Sequence, residues 1–373
     1  MLVQVAPYLI NTIRNPTETF KPHSAIDLLL LCSIWYSFTM VKYKDIKASN
    51  TLINEATAPR IAVFVGGTSG IGKSTVEALV ATGTILRIYL VGRKSSQQRT
   101  ETFIHELHAI NPSAEIVWVE GEVSLLAETK RVCEIIKSKE RHVDLLFLTT
   151  GYAPFTSRRE TSEGLEISQS LSYYSRMLFV SHLLPLLNEA EAPRVVSVLG
   201  GGLERTTIET DDIDLKKPAN FNIMKAQLQY VATNTLFLET LADKNPEVTF
   251  VHSWPGSVNT GNVRRGLDPG SILAWIIWFF LEPLIAIFSY SNEESGQRHL
   301  FQSTSAAFGG RGTQWAKKAG VNSHGKQENG LFLVNYKCEC TPNSKAMALL
   351  RESAQKKVVD HTKQVLEPYL VGF

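Results

Sequence analysis

Three glycines at positions 66, 70 and 72, in the run Arg60 to Gly72 (RIAVFVGGTSGIG), are the residues of this chain best placed to do chemistry, and that chemistry is the holding of a dinucleotide. Apolar residues Ile61 to Val65 lead into them, a helical pattern from Lys73 to Thr82 follows, and a second apolar run, Leu86 to Val91, comes next. Gly66 permits a tight strand-to-helix turn, Gly70 lets the backbone approach a pyrophosphate, and Gly72 allows the helix to pack closely on the strand. The helix N-terminus then faces the phosphates. Thr68, Ser69 and Ile71 share the turn and are assigned to the nucleotide with the glycines.

The elements that must position this turn alternate regularly. Strands are expected near 60–65, 86–91, 115–120, 143–149, 194–199, 248–254 and 331–336. Helices are expected near 70–82, 99–110, 125–138, 164–188, 223–243, 292–305 and 344–366. This alternation is that of an α/β protein, a doubly wound parallel sheet of Rossmann type, with right-handed crossovers that gather ligands at the carboxyl ends of the strands. The domain runs from 60 to 373, preceded by an extension over 1–59.

Two apolar stretches lie outside that alternation. Ala25 to Val41 carries Asp27 and several hydroxyls, is short for a bilayer span, and is read as a helix packed on the domain or lying on a membrane surface. Ser271 to Tyr290 is long enough to span but holds Glu282 and Pro283 at its centre and sits between strands of one sheet. A crossing there would tear the domain apart, so it is read as a lid-like helix forming an apolar mouth for a lipophilic substrate.

Composition bounds the partners. The chain has 373 residues and a formal charge of +2, with Lys and Arg scattered among Asp and Glu, so no polyanion-binding face is implied and nucleic acid is not expected. Four cysteines are too few for a disulfide framework, and no Asn-x-Ser/Thr acceptor occurs. A reducing, cytoplasmic compartment is expected, with membrane-surface contact through residues 25–41 as the alternative. Cys338 and Cys340 have no second Cys or His pair at ligand spacing, so no metal is expected.

The three-residue gap between Gly66 and Gly70 resembles the short-chain dehydrogenase/reductase family, and the resemblance extends over about Arg60 to Leu366. Val65 to Gly72 stands where that family has Thr-Gly-x-x-x-Gly-Ile-Gly. The second strand ends in Val91-Gly92-Arg93-Lys94, without the acid that would bind the adenine ribose of NAD; the guanidinium of Arg93 suits a 2′-phosphate, which implies NADP(H) in preference to NAD(H). Glu122-Val123 replaces the family's Asp-Val at the adenine. Thr149-Thr150-Gly151 replaces its Asn-Ala-Gly, and Pro255-Gly256-Ser257-Val258-Asn259-Thr260 resembles its nicotinamide-holding Pro-Gly-x-Val-x-Thr. On this resemblance Thr150, Gly151, Pro255, Gly256, Val258 and Thr260 contact the cofactor.

The catalytic half departs from the family's pattern. Members carry Tyr-x-x-x-Lys on the helix after the fifth strand, where the cation lowers the tyrosine pKa and binds the nicotinamide ribose while the phenol moves the substrate proton. Here the segment reads Phe221-Asn222-Ile223-Met224-Lys225: Lys225 is retained and Phe221 stands for the tyrosine. Leu199 and Gly200 align with the family's Ser-Ser, Ser197 lies two or three residues early, and Ser172 falls at the position of a structural asparagine. Tyr43 and Lys47 repeat the spacing before the first strand, where chain order rules them out. Tyr152 and Tyr173 are the proton-carrier candidates nearest by position, with Tyr174 and His252 further off. Three functions are consistent with this pattern. The first is an NADP-dependent oxidoreductase acting on a bulky lipophilic carbonyl, imine or alkene, similar to the divergent members found in fungal natural-product pathways. The second is a non-redox catalyst of cyclisation or isomerisation, and the third a nucleotide-binding pseudoenzyme.

Overall fold

The computed structural model describes residues 41–155, 157–258 and 289–370. Residues 25–40 of the first apolar stretch, 271–288 of the second, and Thr260 lie outside the described residues. The described chain contributes to one compact unit, Val41–Phe373.

Seven strands, β1 (Ile61–Val65), β2 (Arg87–Gly92), β3 (Glu115–Glu120), β4 (Leu145–Leu148), β5 (Arg194–Val198), β6 (Thr249–Ser253) and β7 (Leu331–Val334), form one sheet in the order β3-β2-β1-β4-β5-β6-β7. Every pairing is parallel. Val65, the last residue of β1, pairs with Val91 on one side and Leu148 on the other, so the order reverses direction between β1 and β4 and opens a crevice beyond their carboxyl ends. The expected doubly wound sheet is the observed one.

Strands buried on both faces read as continuous apolar runs, and β1 shows why. Val63 and Val65 join one core cluster and Ala62 and Phe64 the other, because successive side chains point to opposite faces. Among the described residues, eight longer helices cover these faces: α2 (Gly70–Val80), α3 (Gln97–Ile110), α4 (Leu126–Lys139), α5 (Ser175–Asn188), α6 (Ile223–Lys244), α7 (Asn292–Thr304), α8 (Ser344–Ser353) and α9 (Gln355–Leu366); a ninth, α1 (Tyr43–Asn50), packs on α7 outside the sheet. Val76, Leu79, Phe103 and Leu300 place α2, α3 and α7 on the Phe64 face; Val132, Phe179 and Leu236 place α4, α5 and α6 on the Val63 face. Tyr43 of α1 lies under the Arg298 guanidinium of α7 at 5.5 Å, and Lys47 pairs with Glu293 of α7, so this Tyr-x-x-x-Lys is committed to helix packing.

Two expected helices are subdivided. Residues 164–188 resolve into a short turn at Ile167–Gln169, a π-helical turn at Ser170–Tyr174 and α5. Such π turns are a recurrent feature of functional sites. The C-terminal helix breaks at Ala354, whose backbone leaves the helical region at φ −130°. No helix among the described residues is long and apolar enough to cross a membrane.

Candidate cofactor and active site

The turn between β1 and α2 is built by exclusion. A Cβ on Gly72 would stand 2.5 Å from the Gly66 carbonyl oxygen and 2.9 Å from Thr149 Oγ1, and one on Gly66 would stand 2.6 Å from the same hydroxyl. Gly66 also has φ +99°, a conformation that only glycine adopts without strain. Bare α-carbons therefore let β1, α2 and the residues after β4 close on one another. Ser69 stands at the N-cap of α2 in extended conformation, and the first turn of α2 carries no acid. The positive end of the helix is thus left facing the crevice, as an anionic pyrophosphate requires. Thr68 crosses to the end of β2, where its methyl would meet a Cβ on Gly92 at 2.9 Å. Ile71 packs against the Phe64-side core and its carbonyl accepts from Thr75 Oγ1.

The other cofactor candidates follow along the same edge. Arg93 is exposed immediately after β2, and its carbonyl accepts from Ser96 N and Oγ. Glu122, beyond β3, takes a hydrogen bond from Ser124 Oγ at 2.9 Å, next to buried Val123. Thr150 Oγ1 donates to the Leu171 carbonyl, and Gly151 follows at φ +143°. Pro255 and Gly256 leave β6, with Gly256 packed on Tyr336, and Val258 forms a parallel bridge with Tyr290. These residues fit a dinucleotide laid along the carboxyl edge.

The catalytic half is arranged differently. The sequence places Lys225 on the nicotinamide ribose, whereas in the structure Lys225 Nζ lies 3.1 Å from the Ala219 carbonyl and 3.6 Å from Glu209, with its side chain 45% exposed. The reason is local: α6 starts at Ile223, Asn222 caps it by accepting from Lys225 N, and first-turn side chains lean back toward the helix N-terminus. Phe221 and Leu199, which the resemblance aligns with the family's tyrosine and serine, pack against a small cluster of Leu215, Ala226 and Tyr230.

The proton-carrier candidates separate. Tyr173 is fully buried in the core with its hydroxyl 2.5 Å from Thr362 of α9, and burial raises its pKa. This takes it out of the crevice. Tyr174 donates to Asp214 and meets His361. His252 is wholly buried, bonded to Thr235 Oγ1 through Nδ1 and to Gly200 N through Nε2; burial pushes its pKa down to about 3, so it is neutral. Tyr152 alone is half-exposed beside the Thr150–Gly151 turn, but burial, and after it Glu166, raise its pKa, which makes it a weak acid.

Residues the sequence reading passed over hold this region together. Asn234 of α6 donates to the Ser172 carbonyl at 2.7 Å and accepts from Ser197 Oγ at 3.1 Å. Ser197 is thereby a buried structural hydroxyl. Arg176, the one Lys or Arg of α5, bonds the ends of both β4 and β5; a lone guanidinium in a helix otherwise free of Lys, Arg, Asp and Glu was its only signal. A cleft of about 700 Å³ lies at the opposite, amino-terminal edge among Arg60, Asp144 and Arg194. Ligands of open α/β sheets gather at the carboxyl ends, so this cleft is not the site that the glycine turn builds.

Comparison with known proteins agrees with this geometry. The family model for short chain dehydrogenase matches residues 60–202. Oxidoreductase AN1596 of Emericella nidulans is 35% identical over 88% of this chain and 98% of its own length. The NmrA-like family domain-containing oxidoreductase notO of an Aspergillus species is 36% identical over 84% of this chain and 91% of its own, and the short-chain dehydrogenase/reductase SAT2 of Stachybotrys chartarum is 28% identical over 82% and 92%. Among solved structures, YwfH, an NADPH-dependent reductase involved in bacilysin biosynthesis, superposes with a TM-score of 0.50 at 17% identity, covering 66% of this chain and 91% of that one, which is a likeness of fold. The chain belongs to the short-chain dehydrogenase/reductase family, and its relatives carry oxidoreductase names.

Proposed function

We propose that the protein is an NADPH-dependent reductase of bulky lipophilic carbonyl, imine or activated alkene substrates, working in secondary-metabolite biosynthesis. The observation that carries this reading is the β1–α2 cradle, closed on Thr149 and open to an anion, with Arg93 exposed at the end of the next strand where a 2′-phosphate would lie. Bound there, NADPH supplies a hydride. The chain's own residues bind and orient: the α2 N-terminus takes the pyrophosphate, Arg93 the 2′-phosphate, and Thr150, Gly151, Pro255, Gly256 and Val258 the nicotinamide half. Leu199 and Phe221, packed on Leu215, Ala226 and Tyr230, offer an apolar substrate hydrocarbon in this reading.

Without the phenol, the electron pair displaced onto the substrate oxygen or nitrogen takes its proton from water. Losing a positioned acid costs about a hundredfold to ten-thousandfold. A cationic iminium needs no such proton, whereas a ketone must draw one from water. The small lipophilic substrate is the partner this reading requires; the protein resides in the cytoplasm, with residues 25–41 on a membrane surface as the alternative placement.

A second reading draws on Lys225 and Ser172. With the Lys225 amine turned to Ala219 and Glu209, and the Ser172 carbonyl taken by Asn234, the groups that would move a proton are engaged elsewhere. That favours a nucleotide-binding protein whose apolar crevice acts without redox turnover. Calorimetric titration with NADPH, NADP⁺, NADH and NAD⁺, followed by incubation with lipophilic ketones and cyclic imines, separates the two. Tight NADPH binding with stoichiometric consumption supports the reductase; binding without consumption supports the second reading, and no binding of any nucleotide overturns both.

A further inference from the structure

Arg176 ties the ends of β4 and β5 together, and it does so with a charge where neutral donors would serve. Its side chain is 1% exposed. Nε donates to the Leu171 carbonyl at 3.3 Å, Nη1 to Ser197 Oγ and to the Val198 carbonyl at 2.9 Å each, and Nη2 to the Thr150 carbonyl. All four acceptors are neutral, and among the described residues no carboxylate pairs with the guanidinium. The buried acids of neighbouring elements are committed elsewhere. Glu166 accepts from Ser168, Gln169 N and Tyr230, and Glu204 accepts from Gly202 N, Thr235 and Asn343. Burial lowers the Arg176 pKa to about 9, which leaves it charged at neutral pH.

A buried cation held only by neutral dipoles is costly, and a neutral side chain could fill the same space. Its position gives the charge a use. Thr150 and Val198 mark the carboxyl ends of β4 and β5, the floor of the crevice. A Cβ on Gly151 would stand 3.4 Å from Arg176 Nη2 and 2.6 Å from Ser172 Oγ, a buried hydroxyl that makes no hydrogen bond of its own. The bare α-carbon of Gly151 thus leaves room for Ser172 Oγ, and the guanidinium lies beneath the same turn, the one assigned to the nicotinamide half. The two redox forms of that ring differ by one unit of charge: oxidised nicotinamide is a cation, and the reduced ring is neutral.

We propose that Arg176 sets the direction of this site by charge, repelling the oxidised ring so that NADPH is held in preference to NADP⁺ and the protein is poised to reduce. This rests on the reading that the dinucleotide lies along the carboxyl edge. At the effective dielectric of about 20 that suits protein sites, like charges under one turn of chain are worth at least about tenfold in relative affinity.

The test is calorimetry of wild-type protein, Arg176→Met and Arg176→Lys with NADPH, NADP⁺ and adenosine 2′,5′-bisphosphate, which lacks the nicotinamide. Wild type is expected to bind NADPH at least about tenfold tighter than NADP⁺, Arg176→Lys to keep that ratio, and Arg176→Met to bring it to within about twofold of unity, with bisphosphate affinity unchanged throughout. A ratio that persists in Arg176→Met, or is lost in Arg176→Lys while the bisphosphate still binds, overturns the assignment. Should Arg176→Met fail to fold, wild type decides: equal affinity for NADPH and NADP⁺ beside normal bisphosphate binding overturns the charge argument alone. Failure of wild type to bind even the bisphosphate overturns the cofactor reading and this inference with it.

Discussion

The two halves of one carboxyl edge have been treated differently in this protein. Around β1, β2 and β4 the close approaches of Gly66, Gly72 and Thr149 shape the tight turn proposed to cradle phosphate. Around β5 and α6 the same fold presents Leu199 and Phe221 and turns Lys225 to the Ala219 carbonyl. On the proposed reading, the difference teaches that binding a dinucleotide, which resides in backbone shape, and moving a proton, which resides in a few side chains, are separable duties of this fold.

The comparison is broken most severely from the cradle side. Gly72→Ala places a methyl group 2.5 Å from the Gly66 carbonyl, an overpacking worth about 1–3 kcal/mol. It is expected to weaken NADPH at least about a hundredfold and to lower the melting temperature; a normal titration would show that the turn is not the phosphate site.

Acid probes both halves together. His252, in β6, and His299, on α7 against Phe147, are held neutral by burial, with pKa values pushed down to about 3 and about 4 from 6.5. Below pH 6.5 the unfolded chain binds protons that the folded chain refuses, so stability falls as pH drops from about 6.5 toward 4. Each histidine contributes a loss of about 2 kcal/mol by pH 5. Chemical denaturation at pH 7, 6 and 5 measures this, and His252→Asn is expected to flatten the slope by about half. A pH-independent midpoint would mean that the rings are accessible.

Arg93→Glu sharpens the comparison within the cradle. NADPH affinity is expected to fall about tenfold or more while NADH changes less than about threefold, because only the former carries the 2′-phosphate. Equal losses would remove Arg93 from that role.

Phe221→Tyr returns a phenol to the other half. With Lys225 beside Glu209, the phenol lacks the cation that would acidify it, so NADPH-dependent reduction of a model ketone is expected to rise by less than about tenfold. Adding Glu209→Gln should increase the gain. A thousandfold rise from the single change would show that Lys225 already serves the site. The smallest effect is expected from Lys225→Ala, at most about threefold on NADPH affinity; a tenfold loss would place the amine on the ribose.

Much of the cradle was legible in the chain because it is local. The spacing of Gly66, Gly70 and Gly72 and the apolar run before it define a strand, a turn and a helix within a few residues of one another. The strands were placed to within a residue or two for the same reason. The π turn at Ser170–Tyr174 was not legible, since helical periodicity cannot distinguish a widened turn inside a buried run. Nor was the fate of the tyrosines: Tyr152 and Tyr173 are comparable in sequence, yet one stands by the Thr150–Gly151 turn and the other bonds Thr362 across the core.

By itself, then, the sequence determined the doubly wound sheet and the glycine turn between its first strand and helix, because backbone conformation and alternation of apolar runs are short-range properties. Only the tertiary structure decided which polar groups meet. Arg176 reaches Thr150 and Val198, Asn234 takes the Ser172 carbonyl, and Lys225 folds back on Ala219. Those contacts join residues far apart in the chain, and each depends on the packing of helices on both sides of a sheet, which no local pattern of residues encodes.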